Sequence, residues 1–508
     1  MGIILAMNKP LEALLSRLSY GSRESLGIGK GTNGFVETLA RGYEKARNAI
    51  EYRADNLVRR AAIERILKRT FVLSRDPKFL SENLLKELKW AKYLSIEETK
   101  RAQDANLEEV LSEYTSFLSG TVPQEWVVKI ASAHIDELID LNTDYKEFTL
   151  FAFQVLKQKI KLNDENLDLL IYFAVDKIYS GSDDEKIAYH LLKLAGKSVT
   201  PEIFAEAWKL FNLAKNHKGL SRITKFVRRQ MPPLVLFRDI YFYDPESFKE
   251  SLVDEEVFMS KAKEVLEVQL HQTSDKIKTA GSRSVLYVFL TKMILAFGLE
   301  VPFELLVFKD LRVLSLVINL VFPPLFMWIM VSQMRLPGKR EEEALVERTW
   351  YILKNFDDLE NEEDVLVEES EEKNLGFLYW VFSTLYIVFF VGVFAAIFFV
   401  LGKIGYTLFS KLIFIFFLTI IAFFAYRVSQ ISKLYSWKGV SRERTSSISV
   451  LALPILTIGS YLSMGLAKLN FLAFVFDFLL EAPFKLILGF VDDWVKFIAV
   501  KKESQVID

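Results

Sequence analysis

The chain predicts an all-α protein: an N-terminal helical bundle or irregular α-solenoid, followed by an α-helical transmembrane region. Two observations carry this. Residues 375–402 form a run of 28 without a charge, and a helix rising about 1.5 Å per residue makes that longer than the roughly 30 Å of bilayer hydrocarbon. Before about residue 280, apolar side chains recur at spacings of three and four, and no comparable run alternates with period two.

Composition fits a divided molecule. The 508 residues are 51% hydrophobic and 25% charged, with a mean hydropathy of +0.20. That is too charged for a pure membrane bundle and too apolar for an ordinary soluble domain. Local charges cancel in the net value of -1, which therefore indicates no partner. There is no cysteine, so disulfides and thiolate metal sites are excluded, and a reducing cytoplasmic setting is compatible. The N-terminal apolar run is too short for a signal peptide and lacks the Ser or Thr of a myristoylation motif at position 6. Internal spans are therefore expected to bring the chain to the membrane.

The organisation read from these shifts is a Gly-containing lead-in at 1–34, a cytoplasmic all-α domain at 35–280 and a first membrane hairpin at 281–334. An acidic cytoplasmic segment at 335–374, further membrane helices at 375–492 and a tail at 493–508 follow. Residues 35–71 read as one long helix whose basic side chains, among them Arg59, Arg60, Arg65, Lys68 and Arg69, suit a solvated face. Ser95 with Glu98 and Ser182 with Glu185 have the spacing of capping boxes, and Thr200-Pro201 places a cap before an N1 proline. Helix starts are expected near 123, 146, 165, 184 and 201, with a further charged helix from Asp244 to about Lys278. The pair period of about 40 residues is that of helical repeats, but no side-chain pattern recurs with it.

Four runs read as strong spans: 313–334, 375–402, 407–426 and 445–467. Two more, 285–299 with Lys292 and 469–490 with Asp477, Glu481 and Lys485, either span or lie at the interface. The loop 427–444 carries Arg427, Lys433, Lys438, Arg442 and Arg444 against Glu443 alone. By the positive-inside rule that loop is cytoplasmic, and alternation then puts the N-terminal domain and the tail on the same side. The acid-rich stretch from Asp357 to Glu372 should repel itself and stay extended as a solvating linker.

Residues Lys209 to Arg229 contain seven basic side chains and no acid. A helix would line up Lys218, Arg222, Lys225 and Arg229, with Arg228 beside them, and Leu220, Ile223, Phe226 and Val227 would add apolar contact area. Such a face suits anionic lipid headgroups. Aromatic interleaving is sparse, so nucleic acid is not the expected partner.

Within the spans, Pro323-Pro324 and Pro454 would free carbonyls, and Lys292, Asp477, Glu481 and Lys485 form the candidate intramembrane polar set. The Gly27–Gly34 segment lacks Walker A spacing. His134, His190, His217 and His271 stand too far apart for a metal site, which leaves them surface hydrogen bonding. No cofactor or catalytic motif is legible, and an enzyme ranks third among the readings. The leading expectation is an anchor or scaffold whose helical domain binds a protein partner or the inner membrane surface. The alternative is a transporter or channel built on the polar residues of the C-terminal helices.

Overall fold

The computed structural model describes residues 9–19, 57–117, 123–141, 144–196, 200–307, 309, 313–334, 336–362, 364–367 and 376–437, with isolated positions at 454, 457, 458 and 494. The rest of the lead-in, the first part of the 35–71 helix and, apart from those isolated positions, the segments 445–467 and 469–490 lie outside them. The described chain is all-α apart from one two-stranded contact. It divides into two compact units, 9–228 with 357–366, and 229–356 with 367–437.

The first unit holds α1 (Lys9–Arg17), α2 (Val58–Leu73), α3 (Pro77–Trp90), α4 (Ile96–Asp104), α5 (Leu107–Ser116), α6 (Gln124–Ile139) and α7 (Asp144–Gln158). After strand β1 (Ile160–Lys161) come α8 (Leu167–Ile178), α9 (Asp184–Ala195) and α10 (Pro201–Asn216). The starts fall within two residues of the expected positions because the signals are local. Ser95 Oγ accepts from the Glu98 N–H and the Ser95 N–H donates to the Glu98 carboxylate, a complete capping box. Thr200 caps α10 ahead of Pro201. Ser182 departs from expectation: Asp183 is the cap of α9, and Ser182 donates instead to Asp176 at 2.7 Å.

α6 is the hub of this unit, in contact with α2, α4, α5 and α9. Helices distant in sequence therefore meet at one element, and the result is an irregular bundle in place of a repeat. Trp126, Phe204 and Trp208 meet edge-on, and Tyr114 and Phe117 complete the aromatic centre. The basic face of 57–71 is not simply solvated. Arg60 is fully buried and Arg65 nearly so, because carboxylates of neighbouring helices surround that side of α2. The acidic stretch is likewise not extended throughout. Residues Phe356–Asn361 form a 3-10 turn, and β2 (Leu366–Val367) pairs with β1. The buried Lys159 donates to Glu362 at 2.6 Å and to Asp364 at 2.5 Å, which offsets the repulsion among the acids.

The division between units falls within α11 (Leu220–Tyr243), earlier than the shift in composition near 280. Composition marks where water-facing chemistry ends, whereas packing marks which core a helix joins. After the short α12 (Phe248–Ser251), α13 (Glu255–Leu295) runs unbroken for 41 residues. Its cap is Asp254, which accepts from the N–H groups of Glu256 and Val257, so the helix begins about ten residues after the expected Asp244. A stripe from Phe258 through Val265, Leu270, Ile277, Gly281, Ser284 and Val288 to Lys292 is buried along its whole length. Its other faces change from charged to apolar, with Leu286, Tyr287, Leu290 and Ile294 exposed.

A π-helical turn (Ala296–Glu300) and α14 (Val301–Val307) lead to α15 (Val313–Ser332), then α16 (Lys339–Lys354), α17 (Gly376–Lys403) and α18 (Leu408–Ser432). α13 and α15 pack against each other, and at Gly281 a Cβ would stand 2.4 Å from Val331 Cγ1. α15 continues through Pro323 and Pro324 without interruption. α18 runs six residues past the expected end of its span, and at its end Tyr435 donates to Asp239 of α11 at 2.6 Å while Trp437 lies over Arg348 of α16. Stretches within 255–307, 315–332 and 380–403 are long and apolar enough to cross a membrane, and α18 carries a shorter apolar stretch, 408–422.

Candidate functional site

The break after α13 follows from sequence. Pro302 has no N–H for the carbonyl of Gly298, and its ring crowds that turn. The ladder widens instead, with the Val301 N–H bonding to Ala296 O. Turns of this π type gather at functional sites. This one aims Glu300 back at Lys292, eight residues earlier. Both side chains are buried, and Lys292 Nζ lies 2.6 Å from Glu300 Oε1. The second oxygen of Glu300 accepts from Asn319 Nδ2 of α15 at 2.7 Å. Lys292 also lies 4.7 Å from the centre of the Phe417 ring of α18.

One helical turn beyond Glu300, the buried Glu304 accepts from Ser410 Oγ of α18 at 3.0 Å, and Thr407 Oγ1 donates to Ser410 Oγ at 3.1 Å. Tyr406, also buried, completes this layer. α13, the π turn, α14, α15 and α18 thus converge on a polar cluster inside otherwise apolar packing formed by Phe322, Ile397, Leu401 and Phe414. Of the four expected intramembrane polar residues, Lys292 is in this cluster. Asp477, Glu481 and Lys485 lie outside the described residues. Glu300, Glu304 and Asn319 escaped the sequence reading, although carboxylates four apart around a proline, eight residues after an isolated lysine in an apolar run, were a usable signal.

Beside the cluster, α13 and α15 bound a groove of about 760 Å³. Its lining runs from Ser274, Lys278 and Ser282 to Leu286, Phe289 and Trp328. Pro324 also lines it.

The basic row is partly as expected. Lys218, Lys225, Arg228 and Arg229 are exposed and Arg222 is half-buried. α11 begins only at Leu220, so Lys218 precedes it. The apolar contact area is not available: Ile223, Phe226 and Val227 are buried in the protein's own core, because the helix uses that face for packing.

The first unit holds a second set of buried charges. Arg60 pairs with Glu64 at 2.7 Å and Asp183 at 2.6 Å, and Arg59 with Glu98 and Asp136 at 2.5 and 2.6 Å. Burial alone would raise the Glu64 carboxyl, but Arg60 and Lys68 hold it down at about 2. His271 is exposed as expected, whereas His134, His190 and His217 are half-buried. His134 bonds to Tyr114 at 3.1 Å and stacks on Tyr189, and burial pushes it down to about 4. His190 bridges Asp176 at 2.6 Å and Glu137 at 3.0 Å. Burial opposes its charge, but the two carboxylates prevail and raise it to about 9. Ser182 bonds to Asp176 and not to His190, so the trio lacks the nucleophile–base contact of acyl-transfer chemistry. Among the described residues no group of three metal-ligating side chains is found.

No protein-family model, curated protein or solved structure matches this chain.

Proposed function

We propose that the chain is a multi-pass integral membrane protein that anchors a large helical unit at the cytoplasmic face, where that unit binds a protein partner or anionic headgroups. The observation that carries the membrane part of this reading is α17. Its apolar side chains stand out from the protein between 380 and 400, Trp380, Phe382, Ile387, Val391 and Phe399 each about 60% exposed. A helix that is apolar all round and uncovered in water would be an aggregation surface, whereas lipid covers it without cost. The chain should stay in the membrane pellet through an alkaline carbonate wash and leave it only in detergent. Release by carbonate would overturn the reading.

The orientation is supported by the basic loop after α18 and by the contacts of Tyr435 and Trp437 with α11 and α16, which keep those water-facing elements at that end of α18. Single cysteines test it, because the chain has none of its own. Leu434→Cys, at an exposed position, should resist an impermeant maleimide in intact cells, and Lys403→Cys at the opposite end should react. Gly405 is unsuitable as a probe, since its φ of 94° would strain a side chain. The reverse labelling pattern inverts the topology.

A second reading, a transporter or channel, is favoured by one specific observation, the charged cluster of Lys292, Glu300 and Asn319. Ionisable groups inside a membrane domain are expensive and mark ion or solute pathways. Proton or small-ion flux in proteoliposomes that Lys292→Met eliminates would establish it. Absence of flux from the wild-type protein would leave the anchor.

A further inference from the structure

We propose that the groove between α13 and α15 seats one anionic phospholipid, with its headgroup at Lys278 and an acyl chain lying against Phe289 and Pro324. The proposal rests on the reading of these helices as membrane spans and goes beyond it, because a span needs lipid around it but not one lipid chosen by charge.

The two walls run in opposite directions. Gly281 of α13 stands against Val331, whereas Glu300, further along the chain, accepts from Asn319, further back along α15. The groove therefore has two distinct ends, and its polar side chains gather at one of them. Ser274, Lys278 and Ser282 come from α13 and Ser332 from α15, none more than one residue past the level where Gly281 meets Val331. Beyond that level the described lining is apolar and closes with Phe289, Pro324 and Trp328. The volume of about 760 Å³ is that of a ligand site, which runs about 300–1,000 Å³.

Depth supplies a second observation. Lys278 and Phe289 are separated by about 17 Å of helix rise, and half of the bilayer hydrocarbon is about 15 Å thick. The groove is thus one leaflet deep, polar where headgroups lie and apolar where one acyl chain would run.

Charge selects the headgroup. α15 carries no charge, and from Lys276 to Leu299 the chain has Lys276, Lys278, Arg283 and Lys292 with no acid. Lys292 is committed to Glu300 at 2.6 Å. Lys276, Lys278 and Arg283 are exposed within two turns of helix. Asp275 lies 3.7 Å from Lys278, with both side chains about 70% exposed, and a pair that wet does little to neutralise the cation. Ser274 and Ser282 add hydroxyls that can donate to phosphate oxygens, while Ser332 Oγ already donates to the Ile329 carbonyl at 2.9 Å and completes the wall. The chain's own apolar run 445–467 contains no acid, so it would bring no anion to Lys278.

The test is tryptophan quenching in the full-length protein, reconstituted in zwitterionic vesicles that contain acyl-brominated phosphatidylglycerol or, at the same mole fraction, acyl-brominated phosphatidylcholine. Trp328 lines the groove and Trp380 of α17 faces outward, both about 60% exposed. Subtracting the spectra of Trp328→Phe and Trp380→Phe from the wild type isolates each signal. Trp380 should be quenched by both lipids, as the membrane reading requires. Trp328 should be quenched preferentially by the anionic lipid, and Lys278→Gln, at an exposed position where folding is unaffected, should lower that preference about fivefold, equivalent to about 1 kcal/mol. Quenching at Trp380 with none at Trp328 would mean that a segment of the chain itself covers the groove, and it overturns the proposal while sparing the membrane reading. Equal quenching of Trp328 by the two lipids, or a preference that Lys278→Gln leaves unchanged, overturns it as well. If neither tryptophan is quenched by either lipid, the membrane reading fails and the proposal with it.

Discussion

Arg60 and Lys292 invite direct comparison. Each is a fully buried cation with a carboxylate oxygen 2.6 Å away, yet their surroundings differ. Arg60 sits among Glu64, Asp183 and Glu185, which are themselves tied to Lys68 and Lys129 at a partly wet margin. Lys292 has Glu300, itself held by the Asn319 amide, and the Phe417 ring, among apolar helices. The first arrangement is a network in which several charges share the load and water reaches the rim. The second is a minimal set with no spare partner. Equal geometry therefore does not imply equal purpose. In a water-soluble unit, removing one member strands charges that water solvated in the unfolded chain. In a bilayer the unfolded reference is itself poor in water, and polar contacts between helices contribute little to stability.

That contrast can be broken most readily at Arg60. Arg60→Leu leaves three carboxylates facing one another, and we expect a loss of about 3–5 kcal/mol, read as a fall in the thermal midpoint of the first unit in the full-length protein. Lys292→Met should lower stability by only about 1 kcal/mol. A loss as large as that of Arg60→Leu would make the cluster a structural lock and weaken the transport reading.

The His190 bridge sharpens the first half of the comparison through pH. Its folded value of about 9 lies above the ordinary 6.5, so the stabilisation is fully present below pH 6.5 and disappears as pH rises through about 9. His190→Gln should melt below the wild type under mildly acidic conditions. The difference expected is about 1–2 kcal/mol once solvent screening at the half-exposed Glu137 is allowed for. The two proteins should melt together above pH 9. A constant difference across that range would mean that shape, not charge, is what the imidazole contributes.

The smallest effect concerns Lys218 and Lys225, which stand in water at the edge of the same unit. Replacing either by Gln should leave folding within about 0.5 kcal/mol. Association of that face with anionic headgroups should weaken by about 1 kcal/mol per residue. A dye on Ser221→Cys in nanodiscs reports it, through quenching by labelled headgroups in anionic against zwitterionic lipid. Equal quenching in both lipids would reduce the row to a solvated face.

Signals confined to one turn of helix were legible in sequence, and those that depend on a distant partner were not. The cap pair Ser95 and Glu98 and the Thr200-Pro201 start need only their own neighbours. Ser182 looked like a cap because its spacing was right, but Asp183 competes for the role and Asp176 claims the Ser182 hydroxyl. Arg60 looked solvated because two of its three carboxylate partners, Asp183 and Glu185, arrive more than 120 residues later. In the candidate site, Lys292 stood out as a lone charge in an apolar run. Its partners did not, since Glu300 and Glu304 lie just past the 285–299 run and only the π turn brings them inward. Asn319 was one amide in a long apolar stretch, with nothing local to set it apart.

α13 joins a charged half to an apolar half in one continuous rod, about 60 Å long at 1.5 Å per residue. Between its ends there is no proline and no change of helix type, so it works as a lever. A tilt of about 3° imposed at the Asp254 end would carry Lys292 sideways by about 3 Å, and Glu300, on the turn that continues the same rod, with it, against Asn319 of α15, 2.7 Å away. Force applied to the charged half would thus arrive at the ion pair as displacement, with no messenger in between.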